Sequence, residues 1–157
     1  MIIEVTAVQR DEKEILRNLM EKYDYELSQY GGDDVNKLGL YGFDYLDNYW
    51  QEGAKRWAYF IKVDGKLAGF ALILSDYFYL DDRESDYVMS DFFVMYKYRK
   101  AGVGKFVANK LFDNTFSAKT VTYPPTKIVQ ICRIVAWRIC HCFTGKSINT
   151  KEYGNLI

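Results

Sequence analysis

Residues Asp91 to Lys105 join an apolar run to a basic, glycine-bearing turn and then to a helical pattern, and this junction constrains the fold more than any other stretch. Tyr87 to Met95 is β-branched and aromatic, as a buried strand requires, while Val103, Phe106, Val107 and Leu111 recur at helical spacing just beyond the turn. The turn therefore opens a helix. Free N–H groups and the positive end of the dipole at a helix start attract phosphate oxygens. Gly102 and Gly104 let the main chain approach without a Cβ in the way, and Lys97, Arg99, Lys100 and Lys105 concentrate positive charge at the same place. Such a turn suits a pyrophosphate.

Two familiar phosphate loops fail on spacing. A P-loop needs a glycine five residues before the Gly104-Lys105 pair and a Ser or Thr after it, where this chain has Arg99 and Phe106. A dinucleotide fingerprint needs a third small residue after Gly-x-Gly-x-x, and Val107 fills that position.

The rest of the chain reads as alternating strands and helices. Ile2 to Val8 alternates as a first strand, and Asp11 with Glu14 has the spacing of a capping box, after which Ile15, Leu16, Leu19, Met20, Tyr23 and Leu27 form one apolar helical face. Gly31-Gly32 breaks that helix. Tyr41, Tyr45 and Tyr49 stand four apart, which predicts a short second helix ending at Trp50 with an aromatic face. Trp57 to Val63 and Lys66 to Leu74 flank Asp64-Gly65, a hairpin signature. Asp81 to Asp86 is a solvated loop. The strand at 87 to 95 and a helix at 102 to 114 follow, then a short strand at Thr120 to Tyr123 and a last helix over Ile128 to Phe143.

The 157 residues, 49% hydrophobic and 27% charged, suffice for one domain with one core, and no linker or repeat divides them. Lys plus Arg equals Asp plus Glu at 21 each, so no overall field draws the chain to nucleic acid or an anionic membrane. No apolar run reaches the length of a membrane span, and the N-terminus lacks the layout of a signal peptide, so a cytoplasmic protein is expected. Three cysteines, Cys132, Cys140 and Cys142, argue against a disulfide framework. Cys140-His141-Cys142 falls short of a four-ligand zinc set, so no metal is expected and His141 receives no role.

Arg99-x-x-Gly102-x-Gly104, with Val94 five positions before the Arg, resembles motif A of the GNAT superfamily of acyl-CoA-dependent N-acyltransferases. The segments Asp34 to Trp50 and Gly65 to Leu72 are similar to a bacterial branch of predicted acetyltransferases in that superfamily. The resemblance spans roughly residues 1 to 115; beyond about 115 the chain is atypical, with Ser117-Ala118-Lys119 where Gly-Trp is usual and Ala136-Trp137 in the last helix.

The resemblance implies an α/β fold of mixed α+β type. Its central mixed, twisted sheet would be splayed at the fourth strand, with helices on both faces and elements in the order β-α-α-β-β-β-α-β-α. It implies acetyl-CoA as co-substrate. Phe92, Phe93 and Val94 would offer main-chain bonds to pantetheine, and Arg99, Lys100, Ala101, Gly102, Val103, Gly104 and Lys105 would hold the pyrophosphate. Tyr41, Asp44 and Tyr45 would contact the acceptor, an amine of a small molecule or a protein, and an acidic residue there suits a cationic amine. Pairing of two copies through the C-terminal strands is an expectation by analogy.

Transfer to an amine needs a group that removes its proton and a donor for the departing thiolate. Asp91 is the candidate base, at a position where relatives carry a carboxylate; on a largely apolar strand its pKa should rise. The alternative is an Asp held by backbone amides or turned to solvent. A period of two places Asp91, Phe93 and Met95 on one face and Ser90, Phe92 and Val94 on the other. Ser90, Tyr98 and Tyr123 are candidate donors, none favoured. The cysteines lie away from this strand, which argues for direct attack without an acyl-enzyme. An N-acetyltransferase is the leading reading, ahead of a CoA-binding domain without turnover and a small nucleotide-binding module.

Overall fold

A computed structural model describes residues 1–30, 34–75, 87–111 and 121–122. Five strands form one sheet in sequence order: β1 (Ile3–Ala7), β2 (Arg56–Val63), β3 (Lys66–Leu74), β4 (Tyr87–Val94) and β5 (Val121–Thr122). The first four run antiparallel, and β5 joins β4 in parallel, so the sheet is mixed. Asp64 and Gly65 both take positive φ, 49° and 73°, the pair that a tight primed hairpin turn demands, and this fixes β2 against β3.

Helices cover both faces of the sheet. On one side α1 (Lys13–Leu27) buries Leu16, Leu19, Met20 and Tyr23 against Ala58, Phe60, Phe70, Leu72, Leu74 and Phe93. On the other, α2 (Val103–Asn109) sets Val103 and Val107, with Leu111 just beyond it, against Ile61, Val63, Ala71, Ile73 and Met89. Covered on both sides, β3 reads as an unbroken apolar run from Ala68 to Leu74.

Three expectations change in detail. The N-terminal cap of the first helical segment lies two residues earlier than Asp11: the Glu12 carboxylate accepts the Gln9 amide at 3.0 Å, and a 3₁₀ turn, Arg10–Glu12, precedes α1. Ile15 falls off the apolar face and is exposed. The second helix is a 3₁₀ helix, Asp44–Trp50, with Tyr41 outside it. Its three-residue period buries Phe43, Leu46 and Tyr49 and leaves Tyr45 partly exposed, so the four-residue tyrosine stripe does not form. The helix expected at 128 to 143, the three cysteines, His141 and Tyr123 lie outside the described residues.

Candidate active site

The centre of the site is an irregularity in β4. Leu72 pairs with Asp91 and Ile73 with Met89, which leaves Ser90 as the extra residue of a β-bulge. Met89 and Phe92 both pack on the α2 side, so Ser90 and Asp91 between them both face α1. The strict alternation that grouped Ser90 with Phe92 and Val94 fails at this one position.

Asp91 thus sits, half-buried, on an otherwise apolar face among hydroxyls. The Ser90 and Tyr23 hydroxyls stand near enough to its carboxylate to stabilise its charge. Ser90 Oγ also lies 3.3 Å from the Leu72 carbonyl oxygen and 3.5 Å from the Tyr49 hydroxyl. Burial pushes the Asp91 carboxyl up to about 6, against the opposing pull of those two hydroxyls. Tyr45 stands close enough to feel this carboxylate: burial of its hydroxyl, then the charge of Asp91, drive its phenol above the ordinary tyrosine range. The Tyr23 ring is wedged between Phe70 and Phe93, at centroid distances of 5.6 and 5.8 Å, which leaves its hydroxyl little choice of direction.

The loop leading into the 3₁₀ helix is tied to α1. Glu21 accepts the amides of Tyr41 and Gly42 at 3.0 and 3.3 Å, Lys13 bonds Asp47 at 2.8 Å, and the Trp50 indole donates to the Val8 carbonyl at 3.1 Å. These bonds hold Tyr45 and Tyr49 over β4. Of the three residues expected around an acceptor, Tyr45 lies beside Asp91, Tyr41 is half-buried against the α1-side core, and Asp44 is exposed.

One edge of β4 meets β5 at its start. Among the described residues β5 pairs only with Tyr87 and Val88. The Met95 amide donates to the Ala68 carbonyl at 2.8 Å, which sets the parity of the antiparallel ladder: Phe93 and Met95 direct their main chain to β3. Phe92 and Val94 direct theirs to the opposite edge of the strand. Of the three residues expected to offer main-chain bonds there, Phe93 is therefore already committed to β3. Gly69 makes the close pairing at this point workable, because a Cβ on it would collide with the Phe93 carbonyl oxygen.

After β4 the chain makes a 3₁₀ turn, Tyr96–Tyr98, and enters the glycine turn. Lys100 takes φ +63° and Gly102 φ +80°, two left-handed residues that bend the main chain sharply into α2. No side chain caps α2, and its first internal bond is Phe106 N–H to the Gly102 carbonyl at 3.0 Å. The amides of Val103, Gly104 and Lys105 precede that bond and have no acceptor within the helix. The Lys100 and Lys105 side chains are exposed beside them, whereas Tyr98 packs on the α2-side core away from Asp91.

Arg99 behaves differently from the rest of the turn. Its guanidinium grips both Glu26 carboxylate oxygens at 2.5 and 2.6 Å, its Nε donates to the Val94 carbonyl at 2.6 Å, and its own amide bonds the Tyr96 carbonyl at 3.2 Å. Its side chain points at α1, away from the amides of α2. Tyr23 and Glu26 are the residues around the site that sequence reasoning missed. Tyr23 was legible as a lone phenol on the apolar face of α1, which needs a polar partner when buried; Glu26 carried no signal that could be told from a solvated charge.

A family model described as "Acetyltransferase (GNAT) family" matches residues 16–122. Among curated protein sequences none matches the chain. Solved structures share the fold at low identity. A possible acetyltransferase from Clostridium difficile 630 superposes with a TM-score of 0.62 at 12% identity, covering 100% of both chains. The ribosomal-protein-alanine N-acetyltransferase of Brucella melitensis biovar Abortus 2308 gives 0.57 at 14%, again over 100% of both. An aminoglycoside acetyltransferase from an uncultured soil metagenomic sample, in complex with sisomicin, gives 0.57 at 11%, covering 99% of this chain and 97% of its own. The match over more than half of the sequence, on a mixed sheet whose fourth strand runs into a glycine turn, places this chain in the GNAT acetyltransferase family.

Proposed function

We propose that the protein is an N-acetyltransferase that moves the acetyl group of acetyl-CoA to a primary amine by direct attack. The observation that carries this reading is the placement of a carboxylate with a raised pKa beside the bulge of β4, on a strand that leads through a glycine turn into an uncapped helix start. The residues present fit the coenzyme. Phe92 and Val94 would present main-chain groups to its pantetheine amides as an added strand would. The amides of Val103, Gly104 and Lys105, reached over Gly102 and flanked by Lys100 and Lys105, would hold its diphosphate. When bound, acetyl-CoA supplies an activated thioester carbonyl.

Asp91 then serves as general base. The amine nitrogen forms the new C–N bond as the C–S bond breaks; Asp91 takes the proton that the nitrogen releases, and the thiolate acquires one in turn. A carboxyl poised near 6 is ionised at neutral pH yet more basic than an ordinary Asp. Ser90 and Tyr23 favour its charged form, and Tyr45, whose phenol keeps its proton well past neutrality, borders the acceptor. The acceptor is a cationic amine of a small molecule or a protein, attracted by Asp91 and by Asp24 near Tyr45. Solved neighbours named as aminoglycoside and ribosomal-protein-alanine acetyltransferases support both acceptor types.

Two assays test this. Acetyl-CoA should raise the melting temperature where ATP and NAD do not, because a ligand selective for the native state stabilises it by mass action. Incubation with acetyl-CoA and a panel of polyamines, aminoglycosides and peptide N-termini should release free thiol with at least one of them. Stabilisation without thiol release from any amine would identify a coenzyme-binding protein lacking turnover.

A further inference from the structure

The main-chain acceptors at the end of β4 are occupied one after another. The Met95 carbonyl accepts the Tyr98 amide at 2.8 Å, and the Tyr96 carbonyl accepts the Arg99 amide at 3.2 Å. The Val94 carbonyl is the last acceptor that β4 directs away from β3, and it accepts Arg99 Nε at 2.6 Å. An arginine side chain thus stands where the next rung of an added strand would bond.

Arg99 is held there from two sides. Glu26, in the last turn of α1, takes both terminal nitrogens of the guanidinium on its two carboxylate oxygens, at 2.5 and 2.6 Å, the pairing that a planar fork of donors matches best. The guanidinium also lies over the rings of Tyr96 and Phe93, 4.8 and 5.7 Å from their centroids. The Arg99 and Glu26 side chains are only 28% and 22% exposed, so salt screens this pair less than an ion pair on the open surface.

We infer that Arg99 is a positioning residue that ends the strand-like ladder of the coenzyme: its Nε–H fills the last rung at the Val94 carbonyl, and Glu26 keeps it there. Three main-chain groups of that edge are left for pantetheine, the N–H and C=O of Phe92 and the N–H of Val94. Beyond them the arm leaves the strand for the amides of Val103 to Lys105, and the positive charge beside the diphosphate comes from Lys100 and Lys105. This rests on the proposed function in taking the β4 edge as the pantetheine site; the contacts of Arg99 do not depend on it.

Glu26 separates this role from that of a phosphate ligand, because the two predict opposite signs. If the charge of Arg99 served the diphosphate, removing Glu26 would free the guanidinium and delete a repelling carboxylate, and coenzyme A would bind more tightly. If Arg99 serves the Val94 carbonyl, removing Glu26 unseats it and coenzyme A binds less tightly. Arg99→Lys adds a second contrast, since it keeps the charge and loses the fork.

The test is coenzyme A binding by calorimetry in the wild type, Glu26→Ala, Arg99→Lys and the double variant, with water exchange of the Arg99 Nε–H followed by nitrogen-edited NMR. Both single variants should weaken binding about three- to tenfold, or ~1 kcal/mol. The double variant should lose no more than the larger single loss, because both changes act through one contact. In the wild type the Nε–H should exchange slowly with and without coenzyme A, and in Glu26→Ala it should exchange faster. Tighter binding in Glu26→Ala, unchanged binding in both single variants, or loss of the slow Nε–H exchange when coenzyme A is added would each overturn the inference. If Glu26→Ala folds poorly, Glu26→Gln, which keeps the shape and removes the charge, is read with the same sign. A wild type that does not bind coenzyme A would overturn the functional reading and this inference with it, whereas binding with the wrong pattern across the variants overturns the role of Arg99 alone.

Discussion

Ser90 and Asp91 are adjacent in sequence and point to the same side of the sheet, because the bulge between Leu72 and Ile73 of β3 leaves Ser90 without a partner. A regular strand would send one of them into the α2-side core. The bulge thereby adds Ser90 to the face that Asp91 already shares with Phe93, and sets a hydroxyl beside the acid near Tyr45 and Tyr49.

The raised pKa of Asp91 has a stability consequence independent of any activity. Its folded pKa, about 6, exceeds the ordinary carboxylate value, so between roughly pH 4 and 6 the native state binds more protons than the unfolded one. Stability from this group is present at low pH and is lost as pH rises through 6. Asp91→Asn should therefore be more stable than the wild type above pH 7, by roughly 3 kcal/mol, with the gap closing toward pH 4. Denaturant melts of both proteins at pH 4.5 and 8 measure it; a gap that widens on acidification would contradict the placement of Asp91.

The same substitution should remove most of the activity. General-base assistance contributes about 10²–10⁴-fold, and kcat/KM of the wild type should fall on the acid side with an apparent pKa near 6. In Asp91→Asn that acid limb should vanish together with the bulk of the turnover. A variant retaining full kcat across pH 5 to 9 would show that another group, or none, takes the proton.

Gly69→Ala tests how tightly β3 and β4 approach. The new methyl would meet the Phe93 carbonyl, a main-chain atom that cannot swing aside. A loss of about 1–3 kcal/mol or more is expected in urea unfolding, along with weaker coenzyme affinity from the displaced edge of β4. A neutral change in both would mean that the strands are farther apart than described.

Gly102→Ala probes the turn. Gly102 holds φ +80° with open space around its would-be Cβ, so the penalty is backbone strain alone, about 1 kcal/mol. Because Lys100 is also left-handed, relaxation of Gly102 should redirect the amides of Val103, Gly104 and Lys105 and weaken coenzyme A binding by more than it lowers stability. Calorimetry and thermal melts on the one variant separate the two effects.

Much of this was legible in the sequence. The apolar run Tyr87 to Val94, the glycines after it and the helical spacing from Val103 to Leu111 signal β4, the turn and α2, and Asp64-Gly65 signals the hairpin. These are local patterns, written in a few consecutive residues. The bulge at Ser90 is not local: it depends on which residue of β3 stands opposite, and a strand read alone shows only its alternation. For the same reason the 3₁₀ winding of Asp44–Trp50 was missed, since tyrosines four apart mimic an α-helical stripe while the buried set is Phe43, Leu46 and Tyr49. The grip of Glu26 on Arg99 spans 73 positions of sequence and is set by how α1 lies on the sheet.

The most direct test of the account is a crystal structure of the protein with acetyl-CoA. The account predicts the diphosphate within about 3 Å of the Val103 to Lys105 amides, pantetheine lying along the Phe92 to Val94 edge, and the thioester on the α1 side of β4 facing Asp91. A coenzyme bound elsewhere, or one whose thioester lies on the far side of the sheet from Asp91, would contradict it.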